Sequence, residues 1–461
     1  MMQFRVRELM VSLEYQENDL WEAAARRLRI SQRDILELKL VKRAVDARRN
    51  SLHFTCSVDI ILSDRVSLAE EILASPQVSC IKAPEPVELA AGVQPLEWAP
   101  VVVGSGPAGL FCALFLARQG YRPLLVERGS DVDRRIRAVE KFWREGALDA
   151  SANPQFGEGG AGTFSDGKLT TRSGDRRVDF VLQTFVEHGA SEEILYTKKP
   201  HVGTDVIRRV VKEIRAEILE RGGEVCFDAC LTDLDVNQGS LKRIIINNEV
   251  EIPVSVLVLA VGNSARDVYR LLQRRGISLT PKAFAVGVRV EHPQGYVDQV
   301  QYGDFAGHPR LGAADYQLTY QDRESGRSLY TFCMCPGGYV IAASSGEGQV
   351  VTNGMSYLAR DSGVANSALV VTVTPADWGH TSLGGVEMQE HLESGAFSLG
   401  GAAYQAPAQL LGDFMQHRSS RSLQGSLATY RPGSLRPISG NCCPKSWVRY
   451  WKGEFAAGTG Q

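Results

Sequence analysis

A glycine-rich stretch after residue 100 has the residue types and the spacing that bind a diphosphate. The pattern is G-x-G-x-x-G, directly after three valines and directly before an apolar run. The first glycine permits a tight turn, the second lets a pyrophosphate approach the backbone, and the third lets a helix pack closely on the strand. The helix N-terminus then presents free N–H groups and the positive end of its dipole to the phosphates. The six residues predicted to bind a dinucleotide at this turn are Gly104, Ser105, Gly106, Pro107, Ala108 and Gly109.

An acidic residue follows at the distance that suits the ribose of an adenosine. A second strand-like run, residues 122–126, ends in Glu127, which lies 18 positions after Gly109. A carboxylate at this place accepts hydrogen bonds from the ribose hydroxyls, and its charge repels a phosphate on the ribose. The neighbouring Arg128 is the one feature that would accommodate such a phosphate, so we include it among the cofactor-binding residues. The alternative, a glycine-rich turn that binds nothing, does not account for the strand, helix and acid in this order.

A second glycine-rich segment covers residues 155–172. Four of the six residues 157–162 are glycine, so backbone alone can pack closely there. Such a segment can wrap a flat ring or offer N–H groups to phosphate, and the basic Lys168 and Arg172 can neutralise a pyrophosphate. A flexible surface loop is the alternative, although Phe156 and Phe164 would anchor the segment. The candidate cofactor-binding residues in this segment are Gly160, Gly162, Thr163 and Lys168.

The elements that position these residues predict an α/β fold class. We expect a Rossmann-like dinucleotide domain, a small N-terminal α+β domain, and a mainly antiparallel β domain that caps the site or binds substrate. In the N-terminal part, strand-like runs at 4–13, 35–45 and 52–62 alternate with helical patterns at 17–28 and 68–73. The predicted segments are a ferredoxin-like module (1–90), the FAD/NAD(P)-binding domain (98–281), the substrate or cap domain (282–433) and an atypical tail (434–461).

Composition excludes several classes of protein. Of 461 residues, 51 are Lys or Arg and 53 are Asp or Glu, so no basic field favours a nucleic-acid partner. The longest apolar run, residues 253–261, is far shorter than the ~20 residues that span a bilayer. Nine cysteines occur without zinc-ligand spacing, which predicts no metal site and a reduced, cytoplasmic protein. The oligomeric state stays open.

Two further stretches resemble parts of the flavoproteins that have two dinucleotide-binding folds. The apolar run 254–261, followed by Gly262, resembles their strand with the sequence Ala-Thr-Gly. The stretch 223–231 resembles the short strand whose backbone, near Leu231, contacts the adenine. The glycine motif alone suits NAD or FAD, and these resemblances, with the turn 127–129, favour FAD as the bound cofactor. No second G-x-G-x-x-G is present, so NAD(P)H as a reductant would bind without a fold of its own.

Motifs over residues 95–433 resemble a bacterial-type family of FAD-dependent dehydrogenases with an N-terminal α/β module and a dedicated C-terminal domain. The motifs are VVVGSGPAGLF, VERG, FGEGGAGTFSDGKLTTR, VLAVGNSARD, KAFAVGVRVEHPQ, TFCMCPGGYV, NGMS, ANSALVVTV and YQAPAQLLGDF. This resemblance implies a flavoprotein oxidoreductase that transfers a hydride through bound FAD. It leaves the small-molecule substrate open.

Catalytic residues stay open among four candidates after residue 280. Strand alternation puts Arg289 on one face and His292 on the other. His292 has an ordinary pKa suited to proton transfer, although a hydrogen-bonded structural histidine is the more frequent case. Cys333 and Cys335 are expected on one face of a strand, either as a dithiol that relays electrons beside the flavin or as buried core sulfur. Residues 353–356 are expected to form a turn, with or without a role in binding substrate.

The sequence after Gly433 differs from the sequence pattern of the family. After Gly433 the relatives continue into a glycine-rich segment that lies against the flavin ring, whereas residues 418–461 of this chain contain seven basic residues and one acidic residue. We therefore expect a product truncated or frameshifted after about Gly433, whose flavin site lacks one wall. The alternatives to an FAD-dependent oxidoreductase are a non-catalytic flavin- or nucleotide-binding protein, an inactive truncated homologue, and a flavin-dependent RNA modifier. The net negative charge of residues 1–417 disfavours the RNA modifier.

Overall fold

The computed structural model of the 461-residue chain describes most of the residues. The described residues are 3–48, 52–81, 92–171, 173–175, 177–323, 325–416, 418–423, 428–431 and 436–437. Arg172 and most of the predicted tail 434–461 lie outside them, as does a large part of the stretch between the N-terminal module and residue 98. The predictions made for those residues therefore stay predictions.

The described residues form short strands and helices of moderate length. The strands are β1 (Gln3–Val11), β2 (Ile35–Asp46), β3 (His53–Leu62), β4 (Val78–Cys80), β5 (Val101–Val103), β6 (Leu124–Val126), β7 (Glu224–Cys226), β8 (Leu231–Asn237), β9 (Ser240–Ile246), β10 (Val250–Pro253), β11 (Leu257–Leu259), β12 (Phe284–Pro293), β13 (Thr319–Gln321), β14 (Ser328–Cys335), β15 (Tyr339–Ala342), β16 (Thr352–Met355), β17 (Val364–Val373), β18 (Pro407–Ala408) and β19 (Arg436–Pro437). The helices are α1 (Glu17–Leu28), α2 (Glu70–Leu73), α3 (Pro107–Arg118), α4 (Val132–Glu145), α5 (Arg177–Glu187), α6 (Gly203–Glu220), α7 (Arg266–Arg274), α8 (Gln294–Tyr302), α9 (Gly384–Leu399) and α10 (Leu411–Met415).

The chain divides into two compact units. The small unit consists of Met1–Pro95, Lys168–Val202 and Asp298–Ala314, and the large unit consists of Leu96–Gly167, Gly203–Val297 and Asp315–Gln461. The small unit thus adds two later segments to the predicted N-terminal module. Most of the two segments predicted as 98–281 and 282–433 belongs to the large unit.

In the small unit, a four-stranded antiparallel sheet has the order β2-β3-β1-β4. With α1 and α2 between the strands, this is the βαββαβ arrangement of ferredoxin-like folds. Alternate side chains of β3 are buried against the apolar side of α1, because successive residues of a strand point to opposite faces of the sheet. The buried residues of these two elements include Phe54, Cys56, Val58, Ile60, Leu62, Leu20, Ala24, Ala25 and Leu28.

In the large unit, a parallel sheet has the order β11-β5-β6-β7, and α3 connects β5 to β6. This confirms the Rossmann-like α/β prediction. All three residues of β5 are buried, as expected for a strand covered on both faces. A separate antiparallel sheet β10-β9-β8 follows β7 along the chain.

The later part of the large unit is antiparallel, as predicted. The sheet order is β12-β17-β14-β13, and β15 and β16 form a two-stranded sheet. The prediction of a turn at residues 353–356 is wrong, because Asn353, Gly354 and Met355 pair with β15 as part of β16. The register of β14 against β17 shifts between Phe332 and Cys335, so an irregularity interrupts β14 there. Within the part of the chain that the structure describes, no helix has the length and apolar character that crossing a membrane requires.

Candidate functional site

The turn from β5 into α3 requires glycine at two positions for reasons of packing. Gly104 has a φ of +99°, which L side chains rarely adopt, and a Cβ there would lie 2.5 Å from the carbonyl oxygen of Ala260. A Cβ at Gly109 would lie 1.7 Å from the carbonyl oxygen of Gly104. These close approaches hold the start of α3 directly against the ends of β5 and of the neighbouring β11.

Packing does not require glycine at the remaining position of the motif, residue 106. Gly106 has a φ of −67°, which any residue adopts, and it is the N-cap of α3 without a side-chain cap. The nearest atom to a Cβ at Gly106 would be the Cα of Gly160, at an ordinary contact distance of 3.8 Å. The fold itself therefore does not require glycine at 106, and the first turn of α3 begins with Pro107 and with amides that no side chain caps.

Glu127 comes directly after β6, is 5% exposed, and accepts four hydrogen bonds from the protein. Its Oε2 accepts from the amide and the hydroxyl of Ser105, at 2.7 and 2.9 Å. Its Oε1 accepts from the amides of Gly129 and Gly157, at 2.9 and 3.0 Å. The carboxylate thus joins the turn after β5, the residues after β6 and the second glycine-rich segment. Of the four donors, only the Ser105 hydroxyl can rotate away and leave Oε2 free to accept from another donor.

Arg128, next to Glu127, already has partners. Its Nη2 donates to both carboxylate oxygens of Asp267, at 2.9 and 3.0 Å. Its guanidinium also lies over the ring of Phe156, 4.4 Å from the ring centroid. Because Asp267 compensates its charge, Arg128 is less suited to a phosphate on the ribose than its sequence position indicates.

The second glycine-rich segment packs directly on the turn after β5. The amide of Gly159 donates to the carbonyl of Ser105 at 2.8 Å. Gly160 begins a 3₁₀ turn with a φ of +56°, and a Cβ there would lie 2.8 Å from the Cα of Gly106. Gly162 is less crowded, since its Cβ would be 3.6 Å from Cγ of Pro107. The two glycine-rich segments therefore form one continuous backbone surface.

Thr163 has a structural role in the same segment. Its side chain is buried, and its hydroxyl donates to the carbonyl of Glu158 at 3.1 Å. Its carbonyl accepts from the hydroxyl of Thr204. The side chain therefore bonds within the segment itself, and the main-chain carbonyl of Thr163 connects the segment to α6.

Arg135, which the sequence patterns did not single out, organises this segment from behind. It lies on α4, is fully buried, and donates to the carbonyls of Asn153 and Glu158 at 2.9 and 2.7 Å. Burial lowers the pKa of its guanidinium to about 9, and its Nη2 has no hydrogen-bond partner among the residues that the structure describes. A Cβ at Gly157 would lie 2.5 Å from Cδ of Arg135. The sequence does contain a signal for the burial of Arg135, because residue 135 shares the buried face of an amphipathic helix with Val132 and Val139.

The remaining predicted cofactor residues lie in three places. Leu231 begins β8 and is buried, and the preceding Ala229 donates its amide to the carbonyl of Glu127 at 2.8 Å. Gly262 follows β11 with a φ of +75°, and its carbonyl accepts from the Tyr269 hydroxyl at 2.9 Å. Lys168 belongs to the small unit, where it forms an isolated β-bridge with His201. The other predicted cofactor residues belong to the large unit.

The structure brings three of the four catalytic candidates together. Nη2 of Arg289 donates to the carbonyl of Cys333 at 2.9 Å and lies 3.8 Å from Sγ of Cys335. The expectation of two thiols on one strand face fails, because Cys333 has a φ of +46° and the β14 register shifts there. Both cysteines are free thiols, so no disulfide joins them. Cys335 is fully buried, whereas Cys333 is half-buried.

His292 lies apart from this group, on the other face of β12, as alternation predicts. Its ring contacts that of Tyr316, with 5.5 Å between the centroids, and burial lowers its pKa below the ordinary value. Glu291, on the same face as Arg289, accepts from the amide and hydroxyl of Thr429, and burial raises its pKa. Among the described side chains, no group of three or more His, Cys, Asp or Glu is arranged to hold a metal ion.

Three family models match parts of the chain. An NAD(P)-binding Rossmann-like domain matches residues 102–140, which contain the turn after β5 and Glu127. The C-terminal domain of FAD-dependent proteins matches residues 283–452, and so extends past Gly433. A domain of unknown function matches residues 2–61.

The solved structures that match this chain are distant. THI4 from Thermovibrio ammonificans is 20% identical, over 39% of this chain and 64% of its own, with a TM-score of 0.26. Halogenase PltM is 10% identical, over 64% and 55%, with a TM-score of 0.33. The glycerol-3-phosphate dehydrogenase from Bacillus halodurans, solved with FAD, is 13% identical, over 60% and 47%, with a TM-score of 0.27. The chain spans less than two thirds of each of these proteins, and likenesses this weak say nothing about its reaction.

A much closer relative is an uncharacterized protein from Clostridium beijerinckii. It is 48% identical over 434 residues, which is 94% of this chain and 81% of the relative. Together with the two cofactor-related domain matches, this confirms the resemblance inferred from the motifs. The chain belongs to the family of FAD-dependent oxidoreductases that combine an NAD(P)-binding Rossmann-like domain with the C-terminal domain of FAD-dependent proteins.

Proposed function

We propose that this chain binds FAD at the turn after β5 and transfers a hydride between the flavin and a small-molecule substrate, with NAD(P)H as a reductant. The observation that supports this best is the contrast among the three motif glycines. Packing requires glycine at 104 and 109, but it leaves room for a Cβ at 106. A missing side chain at 106 is therefore useful to a ligand that approaches the backbone, as a diphosphate does.

The residues present fit such a ligand. The uncapped first turn of α3 offers amides and the positive end of the helix dipole to the diphosphate. Glu127 would accept from the ribose in place of the Ser105 hydroxyl, and the backbone near Leu231 would face the adenine. The further residues that we assign to cofactor binding are Ser105, Pro107, Ala108, Arg128, Gly160, Gly162, Thr163 and Gly262. The role predicted for Lys168, which belongs to the small unit, stays a prediction.

When bound, FAD supplies the hydride transfer itself, and the protein supplies position and charge. The closely packed backbone of the two glycine-rich segments would exclude water from one side of the cofactor. Since burial lowers the pKa of His292, this side chain is mostly neutral near pH 7 and is better suited to accept a proton than to donate one.

The test compares Gly106→Ala with the native chain. Because a Cβ fits at 106, we expect the variant to fold normally and to lose affinity for FAD by about tenfold or more, that is about 1.4 kcal/mol. The matched control is Gly395→Ala, which also adds one methyl group but lies in α9 with no atom within 4 Å of the new Cβ. This control should keep its FAD.

The measurements are the flavin content after gel filtration and the loss of flavin absorbance when NAD(P)H is added without oxygen. Flavin that is retained by the native chain and bleached by NAD(P)H supports the proposal. Flavin that is never bleached points instead to a non-catalytic flavin-binding protein. A native chain that takes up no FAD, or a Gly106→Ala variant that binds it as well as the control does, contradicts the proposed site.

A further inference from the structure

A buried amide with an unused donor lies in the antiparallel sheet of the large unit. The Asn366 side chain is fully buried, and its Oδ1 accepts from Nε and Nη2 of Arg289 at 3.0 and 2.7 Å. These two bonds fix the orientation of the amide, because Oδ1 must face the guanidinium. Its Nδ2 then has no hydrogen-bond partner among the described residues. A buried donor without a partner costs stability, so a bound group that accepts a hydrogen bond from Nδ2 would stabilise this arrangement.

The guanidinium beside this amide forms no ion pair within the described ranges. Arg289 is half-buried on β12, and its hydrogen bonds go to uncharged groups. The acidic residue on the same face of β12, Glu291, is bonded to Thr429 and interacts with Arg289 only electrostatically, beyond ion-pair distance. The Nη1 of Arg289 has only a long contact of 3.4 Å, to Oδ1 of Asn353. A half-buried cation of this kind attracts an anion.

The surrounding backbone is shaped to fit these two side chains. Cys333 adopts a φ of +46° at the irregularity in β14, and this places its carbonyl 2.9 Å from Nη2 of Arg289. A Cβ at Gly354 would lie 2.3 Å from Nη2 of Arg289 and 2.6 Å from Oδ1 of Asn366. A strained residue and a glycine required by a close approach are both typical of functional sites, where the backbone is fitted to a specific arrangement.

We propose that Arg289 and Asn366 form a binding site for a carboxylate group of the substrate. The guanidinium supplies the positive charge and one hydrogen-bond donor, Nη1. Nδ2 of Asn366 supplies a second donor, so a planar carboxylate could accept one hydrogen bond from each. Asn366 and Gly354 form the buried floor of the site, and Arg289, Asn353 and Cys333 are half-buried around it. The substrate class is thus a small carboxylic acid.

The binding of a carboxylate at this site does not depend on the proposed function. Only the statement that this carboxylate belongs to the substrate rests on it. The same donors would also suit the carbonyl groups of a flavin ring, so the experiment has to separate the two sources. It uses the FAD-loaded protein and measures equilibrium binding by calorimetry. The probes are benzoate and acetate, with benzamide as the uncharged equivalent of benzoate.

The decisive variant is Asn366→Asp. The new carboxylate has the shape of the amide, pairs with Arg289 and removes the Nδ2 donor, so the fold should be retained while an incoming anion is repelled. We expect benzoate to bind about ten- to a hundredfold more weakly, since a hydrogen bond to a charged group is lost. The control for net charge is Asn248→Asp, at an exposed turn between β9 and β10. A second variant, Arg289→Lys, keeps the charge without the planar fork and should weaken binding about tenfold.

Each outcome decides the proposal. Benzoate binding that is weakened by Asn366→Asp and Arg289→Lys but not by Asn248→Asp supports it. Equal binding of benzoate and benzamide, no binding of either acid to the native protein, or unchanged affinity in Asn366→Asp overturns it. Loss of FAD from Asn366→Asp, with Asn248→Asp still loaded, also overturns it and assigns the site to the flavin. If flavin is retained and bleached by NAD(P)H while no acid binds, the carboxylate site fails and the proposed function stands.

Discussion

The carboxylate of Glu127 provides the sharpest test of how the two glycine-rich segments are held together. It is 5% exposed and accepts four hydrogen bonds, from two donors of Ser105 and from the amides of Gly129 and Gly157. The substitution Glu127→Gln keeps the shape of the side chain but replaces one acceptor oxygen by a donor NH₂ group. Whichever way the new amide turns, at least one backbone N–H faces another donor.

The free-energy cost of Glu127→Gln depends on which of two orientations the new amide adopts. If the NH₂ group faces Gly129 and Gly157, two backbone amides lose their acceptor. If it faces Ser105, the hydroxyl rotates to accept and only the Ser105 amide is left unpaired, so this orientation is favoured. An unpaired buried donor costs about 1–3 kcal/mol, which corresponds to hydrogen exchange that is about 5- to 150-fold faster if the opening is local.

The assay is hydrogen exchange followed by mass spectrometry, on protein freed of flavin. Peptides that contain the amide of Ser105 should exchange faster in Glu127→Gln than in the native chain. The peptide of β3, in the small unit, serves as the internal reference and should not change. The variant Ser105→Ala removes only the hydroxyl donor and should have the smaller effect. Unchanged exchange at residues 105, 129 and 157 alike would refute the idea that this carboxylate joins the two segments.

Three further predictions concern packing, acid stability and thiol reactivity. Gly109→Ala should lower the free energy of unfolding by about 3 kcal/mol or more or prevent folding, because its Cβ would lie 1.7 Å from the Gly104 carbonyl; thermal denaturation measures this against Gly106→Ala. The hydrogen bonds from Arg118 and Arg221 lower the pKa of Glu217 from 4.5 to about 2, so its contribution to stability is present above pH 4.5 and is lost as the pH falls towards 2. Glu217→Gln should therefore flatten the decline of the unfolding midpoint over that pH range, and an equally steep decline would contradict the assignment. Burial raises the pKa of Cys56 to about 11, so N-ethylmaleimide at pH 7 should modify the exposed Cys80 in the folded protein and Cys56 only after unfolding, as peptide mass spectrometry would show.

Elements with a strong local pattern could be predicted from the sequence almost to the residue. Helix α1 begins and ends at the predicted residues 17 and 28, because its apolar spacing and its capping box agree. Strand β3 likewise begins one residue after the start of the predicted run 52–62 and ends at its last residue. The apolar run 254–261 was predicted as a longer strand than β11, which has only three residues paired with β5. Apolar composition indicates burial, but the length of a parallel strand depends on the partner strand.

Two errors in the antiparallel sheet have a common physical cause. The Asn-Gly pair at 353–354 is typical of a turn, yet Gly354 lies in a strand, where its missing side chain makes room for Arg289 and Asn366. The C-x-C pattern predicted two thiols on one face, yet the left-handed residue Cys333 breaks the alternation. In both cases a side chain distant in sequence, Arg289, contacts the irregular backbone. Local patterns contain no information about such a contact.

The glycine motif could be located from the sequence directly, whereas the residue that supports it, Arg135, left only an indirect signal. The motif is defined by backbone needs that recur at fixed spacing, so sequence alone located it. Arg135 supports the second glycine-rich segment from α4, with Nη1 2.7 Å from the carbonyl of Glu158, and a Cβ at Gly157 would collide with it. An arginine on the apolar face of an amphipathic helix costs free energy to bury unless hydrogen-bond acceptors surround it, and here main-chain carbonyls supply them. An arginine at such a position therefore points to an irregular segment packed against that helix, and in this chain that segment is the one that adjoins the turn after β5.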